Sequence, residues 1–434
     1  MDIVGRTAAE IFESIRAQTR TGAFVPGQEL PSVRDLATTL GVNRNTVAMA
    51  YKRLAAAGVA ATQGRLGTVI REPLGPGEQE GLVPGSPLTD LGGGNPGLQW
   101  LPDMAAVLAG AACRRPRLYG EATVDPALEA AGRDWMAGQC PRDFAITLTH
   151  GAVDAVERLL AAYLVAGDKV AVEDPCFLGT INVLRIHGLR PLGVAIDAEG
   201  MQAAALEQAL AQGAQAVILT PRAHNPTGAS LGAARARRLR AVLARHPQVL
   251  VIADDHFARL AATGYHDAVP PGARRWALVR SVSKMLGPDL RLAFVASDEQ
   301  TAQRLRLRLA PGMNWVSHLL QDAVRACLAS PEIGARIDQA RADYARRRQI
   351  MAAALAAYGI RVAGPADGLN LWLPLPGSSQ PVVLALAQRG WLVRGGEPFG
   401  VQSPAHGLRI TVSAVDEASA QAFAQAASHA LHPR

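Results

Sequence analysis

Lysine is nearly absent from this 434-residue chain. Of its 44 basic residues only three are lysine, so arginine supplies positive charge almost everywhere. Arginine cannot form a Schiff base with an aldehyde, whereas a lysine amine held out of water can. Against this background Lys284, which lies beside a turn between two apolar runs, stands out as a candidate nucleophile.

Cysteine is also scarce. The four cysteines are scattered without a CxxC pair, which argues against a metal site or a disulfide framework and is typical of the reducing cytoplasm. No apolar run approaches the 18 residues of a membrane span, and the N-terminal stretch mixes acidic with basic residues, unlike a signal peptide. We therefore expect a cytoplasmic protein with no membrane partner and, from its length, two or more domains.

The first seventy residues have the pattern of a small helical domain. A capping box starts the first helix at Thr7, a short second helix ends at Gly41, and a third begins after Asn43. Residues 59–70 then resemble a hairpin with a glycine-rich basic tip. The sequence therefore predicts a winged helix-turn-helix over residues 1–72.

The charge of this segment favours DNA binding. Between positions 34 and 71 there are six basic residues and one acid. When the apolar positions of the third helix turn inward, Arg44 and Asn45 face a major groove, and Lys52 and Arg53 lie where phosphates would run. The predicted DNA contacts are Ser32, Arg34, Arg44, Asn45, Thr46, Lys52, Arg53 and, at the wing tip, Arg65. The alternative is a helical protein-docking domain with a solvated basic face.

We call the predicted winged helix-turn-helix of residues 1–72 the head. The stretch after it is rich in proline and glycine without periodicity, which predicts a linker over residues 73–90. Beyond it, short apolar runs alternate with helical patterns, as in an α/β fold with a mostly parallel sheet. We expect this domain to cover residues 91–434. The predicted strands are Phe144–Thr149, Val170–Glu173, Ala216–Thr220, Val249–Asp254, Ala277–Arg280 and Leu292–Ala296.

Ligands of parallel sheets bind at the carboxyl ends of the strands, and five of these strand ends carry informative residues. The backbone of Gly151 and Ala152 opens a helix that could cradle a phosphate, and Phe177 could stack on a flat ring. Asn225 follows the third run as a hydrogen-bonding amide. Asp254 ends the fourth, where a buried carboxylate needs a cation such as a protonated pyridine nitrogen.

The fifth strand end leads to Lys284. Ser281 and Ser283 precede this lysine and Arg291 follows it, so the amine suits an aldehyde while the hydroxyls and guanidinium suit a phosphate. Taken singly, Lys284 could equally be a surface lysine and Phe177 a core residue. Together the five strand ends describe one ligand, pyridoxal 5′-phosphate.

Both parts of the chain resemble known families. The stretch LPSVRDLATTLGVNRNTVAMAYKRLAAAGVAATQGRLGTVI closely resembles the GntR-type winged helix-turn-helix, which implies a bacterial transcription factor. From Phe144 onward, NPTG, DDHF and SVSK followed by arginine resemble the fold-type I aminotransferases. The combination is similar to the MocR or PdxR-like regulators, and VEDPCFLGTIN and RSVSKMLGPDLRLA resemble their PtsJ-type branch.

The resemblance implies a three-layer α/β/α large part at about residues 110–310 and a small α+β part at about 320–434. It implies an internal aldimine between Lys284 and pyridoxal phosphate, with Asp254 paired to the pyridinium and Asn225 next to the ring hydroxyl. The other cofactor contacts that it implies are Phe177, Gly151, Ala152, Ser281, Ser283 and Arg291.

Further residues follow from the same resemblance. Tyr119 matches the tyrosine that reaches the partner subunit's phosphate, which implies a homodimer with shared sites. Arg409 matches the arginine that grips a substrate carboxylate; the alternative is an exposed strand arginine. Many relatives carry a tyrosine near the ring hydroxyl where this chain has His256 and Phe257. An imidazole can still donate there, but it ordinarily titrates near neutrality.

Three functions fit these patterns. The first is a transcriptional regulator, with genes of vitamin B6 salvage as targets, for which pyridoxal phosphate is an effector. The second is an aminotransferase with an appended DNA-binding head, and the third is a vestigial fold that only dimerises the head. The sequence leaves open the operator, the direction of regulation and any amino-acid co-effector.

Overall fold

The computed structural model of the chain describes residues 3–62, 67–70, 77, 79–81, 83, 85–110, 116–141 and 143–432. Contacts between Cα atoms divide it into two compact units, Met1–Gly77 and Glu78–Arg434.

The smaller unit consists of three helices followed by a hairpin. Its elements are α1 (Ala8–Arg20), α2 (Val33–Leu40), α3 (Arg44–Ala56), β1 (Ala60–Thr62) and β2 (Thr68–Ile70). The predicted capping box at Thr7 is present. Gly41 ends α2 in the left-handed region, at φ +65°, and the Asn43 side chain accepts a hydrogen bond from the backbone N–H of Asn45 to start α3.

One face of α3 fills the core of this unit. Val47 and Leu54 are fully buried, as their spacing predicts, and they pack with Ile11 and Ile15 of α1. The Tyr51 hydroxyl donates a hydrogen bond to the carbonyl oxygen of Pro31 at 2.7 Å. The opposite face of α3 is therefore left to solvent.

The larger unit is built on an eight-stranded sheet. After β3 (Thr89–Asp90), its strands are β4 (Ala145–Thr149), β5 (Lys169–Asp174), β6 (Arg190–Asp197), β7 (Gly200–Met201), β8 (Ala216–Leu219), β9 (Leu250–Asp254), β10 (Trp276–Ser281) and β11 (Ala293–Ser297). They lie in the order β4-β11-β10-β9-β8-β5-β6-β7. The five from β10 to β6 are parallel, and β11 is antiparallel to both neighbours.

All six predicted strands are present, but β6 and β7 were not predicted. The segment of β6 reads RPLGVAID and is largely exposed or half-buried. Among the described residues, only Ile196 and Asp197 of β6 pair with the short edge strand β7, so the rest of β6 has a neighbouring strand on one side only. Such a position tolerates proline and charge, so β6 lacks the apolar run that marks a central strand.

Helices cover both faces of the sheet. They are α4 (Met104–Gly110), α5 (Pro126–Met136), α6 (Ala152–Tyr163), α7 (Leu178–Ile186), α8 (Ala203–Ala211), α9 (Ala233–Leu243), α10 (Ser283–Leu286), α11 (Glu299–Leu309), α12 (His318–Ala329), α13 (Pro331–Ala357), α14 (Gln380–Ala387) and α15 (Glu417–Leu431). Alternate strand residues enter two separate cores: Val251 and Leu278 face one, and Ile252 and Val279 face the other. The result is the expected three-layer α/β/α arrangement.

The C-terminal part has its own small sheet. It contains β12 (Asn370–Pro374), β13 (Trp391–Leu392), β14 (Arg394–Gly395) and β15 (Gly407–Thr411). The antiparallel order is β12-β15-β14, and a third core joins these strands to α13, α14 and α15. Because β13 pairs with β3, described residues within the predicted linker range of 73–90 are built into this unit. No described helix is both long and apolar enough to cross a bilayer.

Candidate cofactor site and DNA-binding face

A cavity of about 310 Å³ opens at the carboxyl ends of the central strands. Nine of the eleven predicted cofactor contacts line it: Ala152, Phe177, Asn225, Asp254, His256, Ser281, Ser283, Lys284 and Arg291. Apart from Arg291, which precedes β11, they lie at the ends of β4, β5, β8, β9 and β10 or in the connections that follow these five strands. The parallel arrangement of the strands brings these connections to one edge of the sheet.

Lys284 is the second residue of α10, which follows β10 directly. Its Nζ donates a hydrogen bond to the carbonyl oxygen of Gly94 at 2.6 Å. Burial lowers the pKa of the amine to about 8, although the charge of Glu80 opposes this shift. A substantial neutral fraction therefore exists near pH 8, and the neutral form is the one that attacks an aldehyde.

Asp254 and Asp255 have opposite surroundings because successive strand residues point to opposite faces. Asp254 faces the cavity, and its Oδ1 has no hydrogen-bond partner among the described residues. Burial and the neighbouring charge of Asp255 raise the pKa of Asp254 to about 7. Asp255 instead accepts hydrogen bonds from Arg222 and Arg280. An unpaired buried carboxylate of this kind fits a cation placed in the cavity.

A second group of residues, in and beside the cavity, supplies hydrogen-bond donors. Gly151 precedes α6 at φ +95°, and a Cβ there would lie 2.9 Å from Nη2 of Arg291. The missing side chain thus lets this guanidinium approach the helix N-terminus. The Ser281 hydroxyl donates to the Ser283 hydroxyl at 3.0 Å. Two hydroxyls, a guanidinium and a helix N-terminus form a donor set that suits a phosphate.

Two rings are among the side chains that line the cavity, those of Phe177 and His256. Phe177 lines it, and a Cβ at Gly179 would lie 2.5 Å from Cε1 of that ring. His256 also lines the cavity, whereas Phe257 is only 3% exposed in the core. Burial, followed by the charge of Lys284, lowers the pKa of His256 to about 4. The pKa of His256 thus lies well below the neutral range in which an imidazole ordinarily titrates.

Arg409 lies on β15 and is fully buried, so the alternative of an exposed strand arginine is wrong. Its Nη1 donates to Oε1 of Glu80 at 2.5 Å and to Oδ1 of Asn225 at 3.0 Å, and its Nη2 donates to the carbonyl oxygen of Gly92. The Asn225 Nδ2 also donates to Oε1 of Glu80, at 3.0 Å. A carboxylate of the chain itself is therefore bound to the predicted carboxylate-binding arginine.

Two acidic residues of the site were missed by sequence reasoning. Glu173, at the end of β5, accepts a hydrogen bond from the backbone N–H of Thr220 at 3.1 Å, and burial raises its pKa to about 8. Sequence reasoning could have found Glu173 as it found Asp254, because both lie at the carboxyl end of a predicted strand. Glu80 could not have been found in this way, because it lies among the glycines, prolines and other acids of the predicted linker.

Tyr119 is 92% exposed and does not line the cavity of its own chain. Its ring contacts Trp315 edge-on, with 5.6 Å between the ring centroids. Its role toward a partner subunit stays a prediction.

The predicted DNA contacts are mostly exposed on the smaller unit. Ser32, Arg34, Arg44, Asn45, Lys52 and Arg53 are exposed, and Thr46 is half-buried. Ser32 caps α2 by accepting a hydrogen bond from the backbone N–H of Asp35 at 3.1 Å. Arg65, predicted at the wing tip, lies outside the described residues. The exposed face of α3 thus carries Arg44, Asn45, Lys52 and Arg53, and their contact with DNA stays a prediction.

An amine, an unpaired carboxylate, an aromatic ring and phosphate donors are the groups that hold pyridoxal 5′-phosphate. The residues present therefore fit this cofactor, which supplies an aldehyde and a conjugated ring as an electron sink when bound. Together with the three-layer architecture they define a fold-type I pyridoxal-phosphate domain, here following a winged helix-turn-helix.

The family models agree with this class. Residues 86–426 match "Aminotransferase class I and II", and residues 7–70 match "Bacterial regulatory proteins, gntR family". The chain belongs to the class I and II aminotransferase family and carries a DNA-binding head of the gntR family, the combination that its motifs predict.

Curated relatives match nearly all or most of the chain. The chain is 53% identical to the vitamin B6 salvage pathway transcriptional repressor PtsJ of Salmonella typhimurium, over 99% of this chain and 100% of the relative. It is 29% identical to the pyridoxine biosynthesis transcriptional regulator PdxR of Corynebacterium glutamicum, over 88% and 86%. The multiple substrate aminotransferase of Thermococcus profundus superposes with a TM-score of 0.73 at 20% identity, covering 80% of this chain and 92% of that one, which confirms the fold.

Proposed function

We propose that this chain is a transcriptional regulator of vitamin B6 salvage, with genes such as that for a pyridoxal kinase as targets and pyridoxal phosphate as its effector. The observation that carries the proposal is the coexistence of a gntR-family head with a cofactor cavity whose lysine and unpaired carboxylate are both present. Since the 53% identical relative is named a repressor, we expect repression.

The residues carry distinct roles in this proposal. Lys284 holds the cofactor through its amine, Asp254 neutralises the pyridine nitrogen, and Asn225 and His256 lie near the ring hydroxyl. The phosphate contacts are Gly151, Ala152, Ser281, Ser283 and Arg291, with Phe177 against the ring. Their grouping around one cavity supports the assignment.

The working unit that we propose is a cytoplasmic homodimer with shared cofactor sites. Support comes from Tyr119, whose exposed ring is available for a partner subunit. A dimer also presents two heads, of about residues 1–72 each, to two half-sites of an operator. We propose the cytoplasm as its compartment because a bacterial regulator meets chromosomal DNA there.

Aminotransferase activity is the second candidate, because Lys284, Asp254 and Arg409 are all present. The Glu80 carboxylate on Arg409 weighs against it, since a substrate carboxylate would have to compete for the same guanidinium.

A gel-shift titration tests the proposal on DNA of the chain's own promoter and of a pyridoxal-kinase promoter, with and without pyridoxal phosphate. Cofactor should change the operator affinity of the wild-type chain and leave that of Lys284→Ala unchanged. Equal affinities for the wild type with and without cofactor would contradict the effector role. Multiple turnovers of an amino acid with a 2-oxo acid would favour the enzyme.

A further inference from the structure

The carboxylate of Glu80 is held as a ligand would be. Two groups converge on its Oε1: Nη1 of Arg409 at 2.5 Å and Nδ2 of Asn225 at 3.0 Å. An arginine paired with an asparagine at this spacing provides charged and neutral donors to one carboxylate oxygen. Glu80, Asn225 and Lys284 also line the same cavity, so this contact borders the space that the cofactor would fill.

The pair is charged but incompletely satisfied. Burial alone would raise the pKa of Glu80, yet the hydrogen bond and the charge of Arg409 outweigh it and hold that pKa below its ordinary value. Among the described residues, however, neither Oε2 of Glu80 nor Nε of Arg409 has a hydrogen-bond partner. A structural ion pair buried for stability would ordinarily satisfy these atoms. The site therefore retains capacity for a differently placed carboxylate.

Two hydrogen bonds between described residues hold the chain on either side of Glu80. The backbone N–H of Gly81 donates to the carbonyl oxygen of Gly93 at 3.1 Å, and Arg394 donates to the carbonyl oxygen of Gln79 at 2.6 Å. Ten positions separate Glu80 from Ile70, the last residue of β2 in the head. Glu80 is thus the first described side chain after the head that is fixed in the cofactor site.

We propose that Glu80 is an internal occupant of the carboxylate site on Arg409, and that a free small-molecule carboxylate displaces it and releases residues 79–81. A regulatory role for this displacement rests on the proposed function, because residues 79–81 belong to the segment that leads to the head. As a binding equilibrium it can be measured without DNA.

The contact between Glu80 and Arg409 opens most easily when a free carboxylate takes the place of Glu80. Removing Glu80 without replacement would leave the buried guanidinium of Arg409 unpaired, which is strongly unfavourable. An incoming carboxylate keeps that charge paired while the Glu80 side chain moves into water. An internal carboxylate acts at a high effective concentration, so it weakens the apparent affinity of any external one by competition.

The test uses propionate, a carboxylate without an amine, on the full-length chain loaded with pyridoxal phosphate. Calorimetric titration should show propionate binding to Glu80→Gln at least about tenfold more tightly than to wild type, because the internal competitor is gone. Glu129→Gln, which loses a carboxylate from a surface ion pair, is the matched control and should resemble wild type. Propionamide, which has the same shape without the charge, should not bind.

A second measurement needs no variant. In the wild type, saturating propionate should speed hydrogen exchange at the amide of Gly81, whose bond to Gly93 belongs to the released segment. Equal propionate affinities in wild type and Glu80→Gln, no propionate binding in either, or unchanged exchange at Gly81 would each overturn the proposal. None of these outcomes involves DNA, so a failure here is distinct from a failure of the cofactor to alter operator binding.

Discussion

Asp254 and Asp255 illustrate how one strand supplies both a site residue and a structural one. Both carboxylates are buried. Asp254 is the last residue of β9 and Asp255 follows it, and the sequence DDHF does not separate their roles. The pleat does so, because it turns one toward the cavity and the other toward Arg222 and Arg280. Sequence reasoning selected Asp254 because it ends a predicted strand, and the resemblance implied the same residue. The ion pairs of Asp255 could not be predicted because the arginines lie 33 and 25 positions away.

The two aspartates should respond differently to loss of charge. Asp254→Asn should weaken binding of pyridoxal phosphate about 10- to 100-fold with little loss of stability, because only the ring nitrogen loses its partner. Asp255→Asn should lower the free energy of unfolding by about 3–5 kcal/mol, because two buried guanidinium groups lose a charged partner. Equilibrium dialysis and urea unfolding measure the two effects. Equal destabilisation by both variants would contradict the division of roles.

The pKa of Lys284 predicts a pH profile for cofactor capture. Only the neutral amine reacts, and burial lowers its pKa to about 8, so the capture rate should rise with pH and reach half its maximum near pH 8. Glu80→Gln should move this midpoint to lower pH, because the charge of Glu80 favours the protonated amine. Stopped-flow absorbance of the cofactor-free chain measures the rate. A midpoint near the ordinary lysine value of 10.5 would contradict the enclosed environment.

At the scale of elements, the sequence predicts what its periodicity encodes. The central strands are continuous apolar runs because helices bury both of their faces, and all six were predicted within a residue or two. The half-exposed strand β6 and the two-residue strand β3 lack that signal. The contact between Glu80 and Arg409 joins residues 329 positions apart, so no local pattern could indicate it.

Close packing of α5 on β11 predicts a pair of contrasting helix substitutions. A Cβ at Gly132 of α5 would lie 2.5 Å from Cδ1 of Phe294, a fully buried ring. Gly132→Ala should therefore destabilise the chain by about 1–3 kcal/mol. Gly334→Ala, in α13, meets no atom within 4 Å and should stabilise by about 0.5–1 kcal/mol through helix propensity. Urea unfolding measures both, and a destabilising Gly334→Ala would contradict this account.

For the whole molecule, the proposed function requires thermodynamic reciprocity. If pyridoxal phosphate changes operator affinity by some factor, operator DNA must change cofactor affinity by the same factor. Typical couplings of this kind are about 5- to 150-fold. The head and the cofactor domain belong to separate compact units, so this factor measures communication between them.

Two independent titrations check this relation. Fluorescence anisotropy gives operator affinity with and without cofactor, and equilibrium dialysis gives cofactor affinity with and without operator. We expect equal factors of at least about fivefold. A factor of one in both titrations would leave only a dimerising role for the cofactor domain.

The scarcity of lysine has a practical consequence for following this molecule in solution. Lys52 is exposed on α3 of the head, Lys169 is half-buried, and Lys284 lines the cofactor cavity. The Lys169 amine donates a hydrogen bond to the carbonyl oxygen of Gln212. Acylating dyes attack accessible neutral amines, so Lys52 is the preferred side-chain target. A fluorophore on Lys52 would report operator binding by the head, while the absorbance of the bound cofactor would report the state of the other unit.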